Sequence, residues 1–219
     1  MAPLIAIDGP SGSGKSSTSR GVASALGLRY LDTGSMYRAI AWLYLQSGLP
    51  ADDADAIAEL ARAARLDVDT DPSHPAIAVN GTDVTDAIRD PSISACVSTV
   101  ATNLDVRAWL TAQMRAIIAE HARQIVVEGR DITTVVAPDA EVRVLLVADP
   151  AARIARRQAE LGTSASADQV TDQIVRRDRD DSTVSEFHRP SDGVTVVDST
   201  HLGLDEVVAR IVELASSVG

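Results

Sequence analysis

The 219 residues carry 31 acidic against 20 basic side chains, a net charge of −11 with a pI near 4.7. A chain this anionic is not built to hold nucleic acid or an anionic membrane as its main partner. No apolar run approaches the roughly 20 residues that span a bilayer, the N-terminus lacks a charged stretch before an apolar core, and a single cysteine excludes an internal disulfide; a cytoplasmic protein is expected.

With 45% hydrophobic but only 3% aromatic residues, the core must rest on Val, Ile, Leu and Ala. Leu4–Ile7 predicts a short buried strand, followed by a helix over Ser17–Leu26 with Val22 and Leu26 on one face. Arg29–Leu31 predicts a second strand, and helical patterns follow at Ser35–Gln46 and Asp53–Arg65. Thr33 or Ser35 is suited to cap the first of these. Leu66–Thr70, Ala76–Asn80 and Asp83–Thr85 predict short antiparallel strands, with Asn80-Gly81 a strong hairpin signal. Cys96 is expected to be a small buried residue. A helix over Val106–His121 then leads to strands at Ile125–Val127 and Val142–Val147. His121 would end that helix, where a cation is favoured. Helices at Ala151–Leu161 and Ala167–Asp178, separated by Gly162–Ser164, form a candidate mobile lid rich in Arg and Asp. A strand at Val194–Val197 and a helix at Asp205–Ser216 complete the chain. Strands alternating with helices imply an α/β, doubly wound, five-stranded parallel sheet, carrying a small antiparallel β insertion and a helical lid. The expected organisation is one domain over 1–219: a core of 1–65, 92–148 and 182–219, an insertion at about 66–91, and a lid at about 149–181. Ligands would sit outside the carboxyl ends of the strands.

The only lysine in the chain is Lys15, inside Gly9-Pro10-Ser11-Gly12-Ser13-Gly14-Lys15-Ser16-Ser17. This run fits the phosphate-binding pattern G-x-x-x-x-G-K-[ST], lying between a strand and a helix as that pattern requires. Glycines let backbone N–H groups close on phosphates, and the helix N-terminus adds partial positive charge. Lys15 would reach the β- and γ-phosphates of ATP and the Ser16 hydroxyl would face Mg²⁺. A glycine- and serine-rich turn entering a helix is the bland alternative.

Two further motifs fall at strand ends: Asp32-Thr33-Gly34-Ser35-Met36-Tyr37-Arg38, and Glu128-Gly129-Arg130-Asp131. Either alone could be turn chemistry; beside a phosphate loop, they bring cations and one acceptor to the ligand crevice. Arg153, Arg156 and Arg157 share a helix face. They either form a solvated face, with Arg156 pairing Glu160, or close over a transferring phosphoryl group. The alternating charges of Arg176-Arg177-Asp178-Arg179-Asp180-Asp181 carry the same ambiguity.

These motifs together, with Thr134-Val135-Val136, Val106-Arg107, Arg176-Arg177-Asp178 and Asp198-Ser199-Thr200, make the chain resemble the bacterial cytidylate kinases nearly end to end. The resemblance implies transfer of the γ-phosphoryl group of ATP to CMP or dCMP with Mg²⁺, by a monomer. It implies base contacts at Thr33, Ser98, Arg107 and Asp131, with Tyr37 in the same substrate site. It implies contacts to the acceptor phosphate at Arg38 and Arg130, and to the sugar at Arg177 and Asp181. Lys15, Arg153 and Arg157 would be the catalytic cations. Cytosine offers acceptors at O2 and N3 and a donor at N4, which suits a fork donor such as Arg107 with a carboxylate such as Asp131. The chain departs from the family where an arginine is often found, at Val184, for which Arg189 is the nearest candidate replacement. It departs again at Thr133, where the family has glycine. A kinase with a different acceptor, and a non-catalytic switch or motor, are the competing readings. The second lacks an Asn-Lys-x-Asp guanine signature, which would need another lysine.

Overall fold

The computed structural model describes residues 3–161, 178–179, 182–183, 185 and 189–218. Its centre is an all-parallel sheet of β1 (Ile5–Asp8), β2 (Arg29–Asp32), β6 (Ile125–Gly129), β7 (Val142–Val147) and β8 (Thr195–Asp198), in the order β2-β6-β1-β7-β8. Alternation along each strand divides the core in two. Leu4, Ala6, Leu31, Ile125 and Val127 face one layer, and Ile5, Ile7, Tyr30, Val126 and Val144 face the other. Both faces of the inner strands β6, β1 and β7 are covered, so these read as nearly continuous apolar runs.

Helices α1 (Lys15–Leu26) and α7 (Leu204–Ser216) cover the second layer through Val22, Val207 and Ile211. The first layer holds α2 (Thr33–Ser47), α3 (Ala54–Ala63), α4 (Pro91–Ala101) and α5 (Leu104–Glu120). Burying Met36, Ile40, Leu110 and Met114 there stabilises the fold by roughly 1.5–3 kcal/mol each. The antiparallel sheet, β3 (Leu66–Val68), β4 (Ile77–Val79) and β5 (Thr82–Asp83), has the expected order. Asn80 and Gly81 both adopt positive φ, 51° and 81°, the geometry of a type I′ hairpin turn. Ile77, Val79, Val84 and Ile88 share the core of α2, so the insertion packs on the main body's own apolar layer.

Three differences from the sequence reading concern local chemistry. The cap of α2 is Asp32, whose carboxylate accepts the Ser35 N–H at 3.0 Å. Neither Thr33 nor Ser35 serves, because the Thr33 hydroxyl donates to Glu128 O and the Ser35 hydroxyl to Asp32 O. Helix α4 is an element the periodicity reading leaves unassigned; Asp90 caps it and Pro91 opens it. A turn of π-helix at Ile132–Val136 follows Asp131. His121 caps the end of α5 as expected, and its Nε2 lies 3.1 Å from the Thr70 hydroxyl. The expected helix at Ala167–Asp178 lies outside the described residues except for Asp178. The first lid helix is present as α6 (Pro150–Leu161). Among the described residues, no helix is long and apolar enough to cross a membrane.

Candidate active site

The parallel strands all end at the same sheet edge, and the segments leaving β1, β2 and β6 enclose a cavity of about 710 Å³. That volume lies within the usual range for small-molecule sites. Its walls hold Lys15, Arg20, Arg38, Arg89, Arg107, Arg130 and Arg157 against Asp32, Asp69, Glu128 and Asp131. Seven basic groups against four acidic ones, in a chain of net charge −11, make this a local inversion of the global field.

The glycine loop joins β1 to α1. Gly14 caps α1 in the left-handed region (φ 88°), and no acidic residue occupies the helix's first turn, leaving its N-terminal field uncompensated. Lys15 Nζ donates to Pro10 O at 2.9 Å, curling back across the loop. Gly12 has φ 75°, and a Cβ built there would lie 2.8 Å from Arg153 O. Helix α6 therefore rests directly on the loop. Arg153 Nη1 donates to Ser11 O at 2.9 Å, and Arg156 Nη1 to Ser13 O at 3.3 Å and to the Ser199 hydroxyl at 2.9 Å. Of the three arginines sharing the lid face, only Arg157 lines the cavity; the other two grip the loop and the segment after β8.

The β6 end, next to β1 in the sheet, supplies a neighbouring wall. Arg107, from α5, forms an ion pair with Asp131 and also donates to the Ser185 hydroxyl at 3.0 Å and to Ala101 O at 3.0 Å. Its guanidinium stands 5.7 Å from the Tyr37 ring centroid. A fork donor, a carboxylate and an aromatic face are thus brought together at one wall of the cavity. Arg38 Nη1 donates to Ile88 O at 3.3 Å. Burial lowers its pKa, opposed by Asp32 and assisted by the charges of Arg157, Arg89 and Arg130. Ser98 lies between the lining residues Val97 and Ala101 but is not among the residues that line the cavity. Gly9, Pro10 and Ser13 are buried beneath the loop, while Ser11, Gly12, Ser16 and Ser17 reach its surface. Arg177, Asp181 and Val184 lie outside the described residues. Arg189 is exposed and does not line the cavity; Arg89 does.

Two buried acids underpin the site. Asp8 ends β1 and accepts the N–H groups of Ile132 and Thr133, each at 2.8 Å, and the Thr133 hydroxyl at 2.7 Å. The departure at Thr133 therefore adds a third bond that ties the turn after Asp131 to the strand leading into the glycine loop. Burial pushes the Asp8 pKa up despite these bonds. Glu128 accepts the Tyr30 hydroxyl at 2.5 Å. Burial, then the nearby Asp32 charge, pushes Glu128 up to about 7, with Lys15 acting the other way. The same burial and the Glu128 charge push Tyr30 well above its ordinary value. Sequence reasoning assigned neither acid a role. The only available signal was an acid immediately before each glycine turn, which is weak.

Comparison with known proteins agrees with this geometry. The family model described as cytidylate kinase matches residues 5–217. A cytidylate kinase of Cutibacterium acnes is 60% identical over 96% of this chain and 95% of its own. One from Streptomyces avermitilis is 43% identical over 97% and 92%. A bifunctional pantoate ligase/cytidylate kinase from a Synechococcus species is 46% identical over 97% of this chain, which covers 40% of that protein. With the match running through every wall of the cavity, the chain belongs to the cytidylate kinase family.

Proposed function

We propose that this chain transfers the γ-phosphoryl group of ATP to CMP or dCMP, giving CDP or dCDP and ADP. The observation that carries the reading is the meeting of a glycine loop, an arginine-lined cavity and the Arg107–Asp131 pair at one sheet edge. ATP would lie with its phosphates on residues 9–17. CMP would lie toward α5 and β6, with its base on Arg107, Asp131, Thr33 and Ser98, and with Tyr37 alongside. Arg38 and Arg130 would hold the acceptor phosphate, with Arg89 beside them in place of Arg189. Arg177 and Asp181 would reach the sugar. In this reading, 1–65, 92–148 and 182–219 are core, about 66–91 the monophosphate-binding insertion, and about 149–181 the lid. The protein would work as a cytoplasmic monomer.

The reaction needs position and charge neutralisation more than a covalent protein group. An oxygen of the CMP phosphate, already ionised, attacks the γ-phosphorus in line as the bond to the ADP oxygen breaks; no general base is required. Lys15, Arg153 and Arg157 would stabilise the charge on the transferring group. The hard oxygen donors at the loop mouth, the Ser16 hydroxyl with the Asp32 and Glu128 carboxylates, fit Mg²⁺ directly or through water. When bound, that ion would supply charge neutralisation for the donor phosphates. The cytosine contacts explain selectivity: uracil reverses the N3 and C4 groups and would leave Asp131 facing an oxygen. Sites built from such bonds discriminate by ~10⁴–10⁵.

The test is a coupled assay for ADP release with CMP, dCMP, UMP, AMP and shikimate as acceptors. CMP and dCMP should be consumed well ahead of the rest, and Lys15→Ala should nearly abolish turnover with an unchanged melting temperature. Preferred turnover of another acceptor, or none with CMP, would refute the proposal.

A further inference from the structure

Asp178 belongs to a run of alternating charges that, by pattern alone, describes a solvated helix. In the structure it is buried, at 7% exposure. One carboxylate oxygen accepts Arg130 Nη1 at 2.8 Å and the Ser11 N–H at 3.0 Å; the other accepts Arg153 Nη1 at 2.5 Å. Arg153 Nη1 also donates to Ser11 O, so the two peptides flanking Ser11 are held by Asp178 and Arg153. Three elements far apart in the chain meet on this carboxylate: the glycine loop, the end of β6 and helix α6.

Two guanidinium groups sharing one small space repel each other. A carboxylate between them offsets one of the two charges and fixes the direction of both forks through charge-assisted bonds. The trio keeps one net positive charge for an incoming phosphoryl group. Burial alone would raise the carboxyl's pKa. The Arg130 charge, the Ser11 N–H and the bonds from both arginines outweigh it and hold Asp178 below its ordinary value, so the carboxylate is ionised at neutral pH. Arg153 Nε is buried with no acceptor among the described residues, which leaves the Asp178 and Ser11 contacts to set the orientation of this side chain.

We infer that Asp178 is a positioning residue for phosphoryl transfer, fixing the spacing of Arg130 on the acceptor side and Arg153 on the donor side against the glycine loop. The inference rests on the kinase reading above. Asp178 touches no reacting atom in that reading, so its loss acts through the arginines. A misplacement of about 1 Å at a reacting centre costs on the order of 100-fold in rate.

The test is steady-state kinetics of the full chain with ATP, CMP and Mg²⁺, comparing wild type with Asp178→Asn, Arg153→Ala and the double variant. Asp178→Asn should lower kcat by about 10–100-fold with both KM values within about threefold. In the Arg153→Ala background the same change should cost much less, because the two residues act as one unit. Unchanged kcat in Asp178→Asn, a loss seen mainly in KM, or losses that multiply in the double variant would overturn the inference. Should Asp178→Asn melt early, Asp178→Glu carries the same test. It keeps the charge but moves it by one methylene, so kcat should fall with KM steady, and an unchanged kcat overturns the inference. A wild type inert toward CMP would bring down the kinase reading and this inference together. An active wild type equalled by Asp178→Asn brings down the inference alone.

Discussion

Replacing Asp131 by asparagine isolates the acceptor proposed to read the cytosine amino group. The side chain is 10% exposed and held by Arg107, so the amide occupies the same place with little freedom to move. One hydrogen bond to a charged group contributes ~1.5–3 kcal/mol, which corresponds to about a 10–150-fold fall in kcat/KM for CMP. The KM for ATP should hold, because Asp131 pairs with Arg107 of α5, whereas the ATP phosphates are proposed to lie on residues 9–17. The new amide N–H could face the uracil O4, so kcat/KM for UMP should hold or rise. The CMP-to-UMP ratio therefore falls by at least the loss on CMP. Arg107 loses its charged partner in a site only 14% exposed. Leaving such a cation wholly unpaired costs ~3–5 kcal/mol; Asn keeps one oxygen and should cost less. At about 2–4 °C per kcal/mol for a chain of this size, assays should be run well below the lowered melting temperature. Coupled assays with both acceptors at varied ATP measure every term. A parallel rise in KM for ATP, or an unchanged CMP-to-UMP ratio, would refute the placement of Asp131.

Gly12→Ala would force a Cβ to within 2.8 Å of Arg153 O at a position of positive φ. It should lift α6 from the loop and lower kcat/KM for ATP at least tenfold, on the order of one charge-assisted bond, in the same assay. Thr133→Gly removes the hydroxyl bond to Asp8 and adds backbone freedom, so urea unfolding should show a loss of about 1–2 kcal/mol. Glu128 has a folded-state pKa of about 7, above its ordinary 4.5. A raised carboxyl stabilises the fold fully below the unfolded value and loses that contribution as pH rises through the folded one. The wild type should therefore lose on the order of 3 kcal/mol between pH 4.5 and 7.5 that Glu128→Gln does not. Thermal melts of the nucleotide-free proteins should show the variant gaining on wild type across that range; a constant gap would contradict the assignment.

The inner parallel strands are legible in sequence because burial on both faces leaves runs such as Val142–Val147 almost wholly apolar. The glycine loop is legible because its chemistry is local. Helix α4 is hard to read because it is short and rich in Ser, Thr and Val, which favour helices weakly. Ile93, Val97 and Val100 nevertheless keep helical spacing, and Asp90-Pro91 is a helix start in hindsight. Spacing places Arg153, Arg156 and Arg157 on one face but does not say what that face touches. Contacts to Ser11, Ser13 and Ser199 depend on tertiary packing alone. Arg89 beside Arg38, and Asp178 beside Arg130, are likewise joined across some 50 residues of chain. No periodicity reports such pairs.

CMP is proposed to sit in the cavity with its base against Asp131 and Arg107 and its phosphate among Arg38 and Arg130. A crystal structure of the protein with CMP bound tests this most directly. The cytosine N4 should lie within hydrogen-bond distance of the Asp131 carboxylate, and the phosphate oxygens on both arginines. CMP lodged elsewhere, or seated with its base turned away from Asp131, would contradict it.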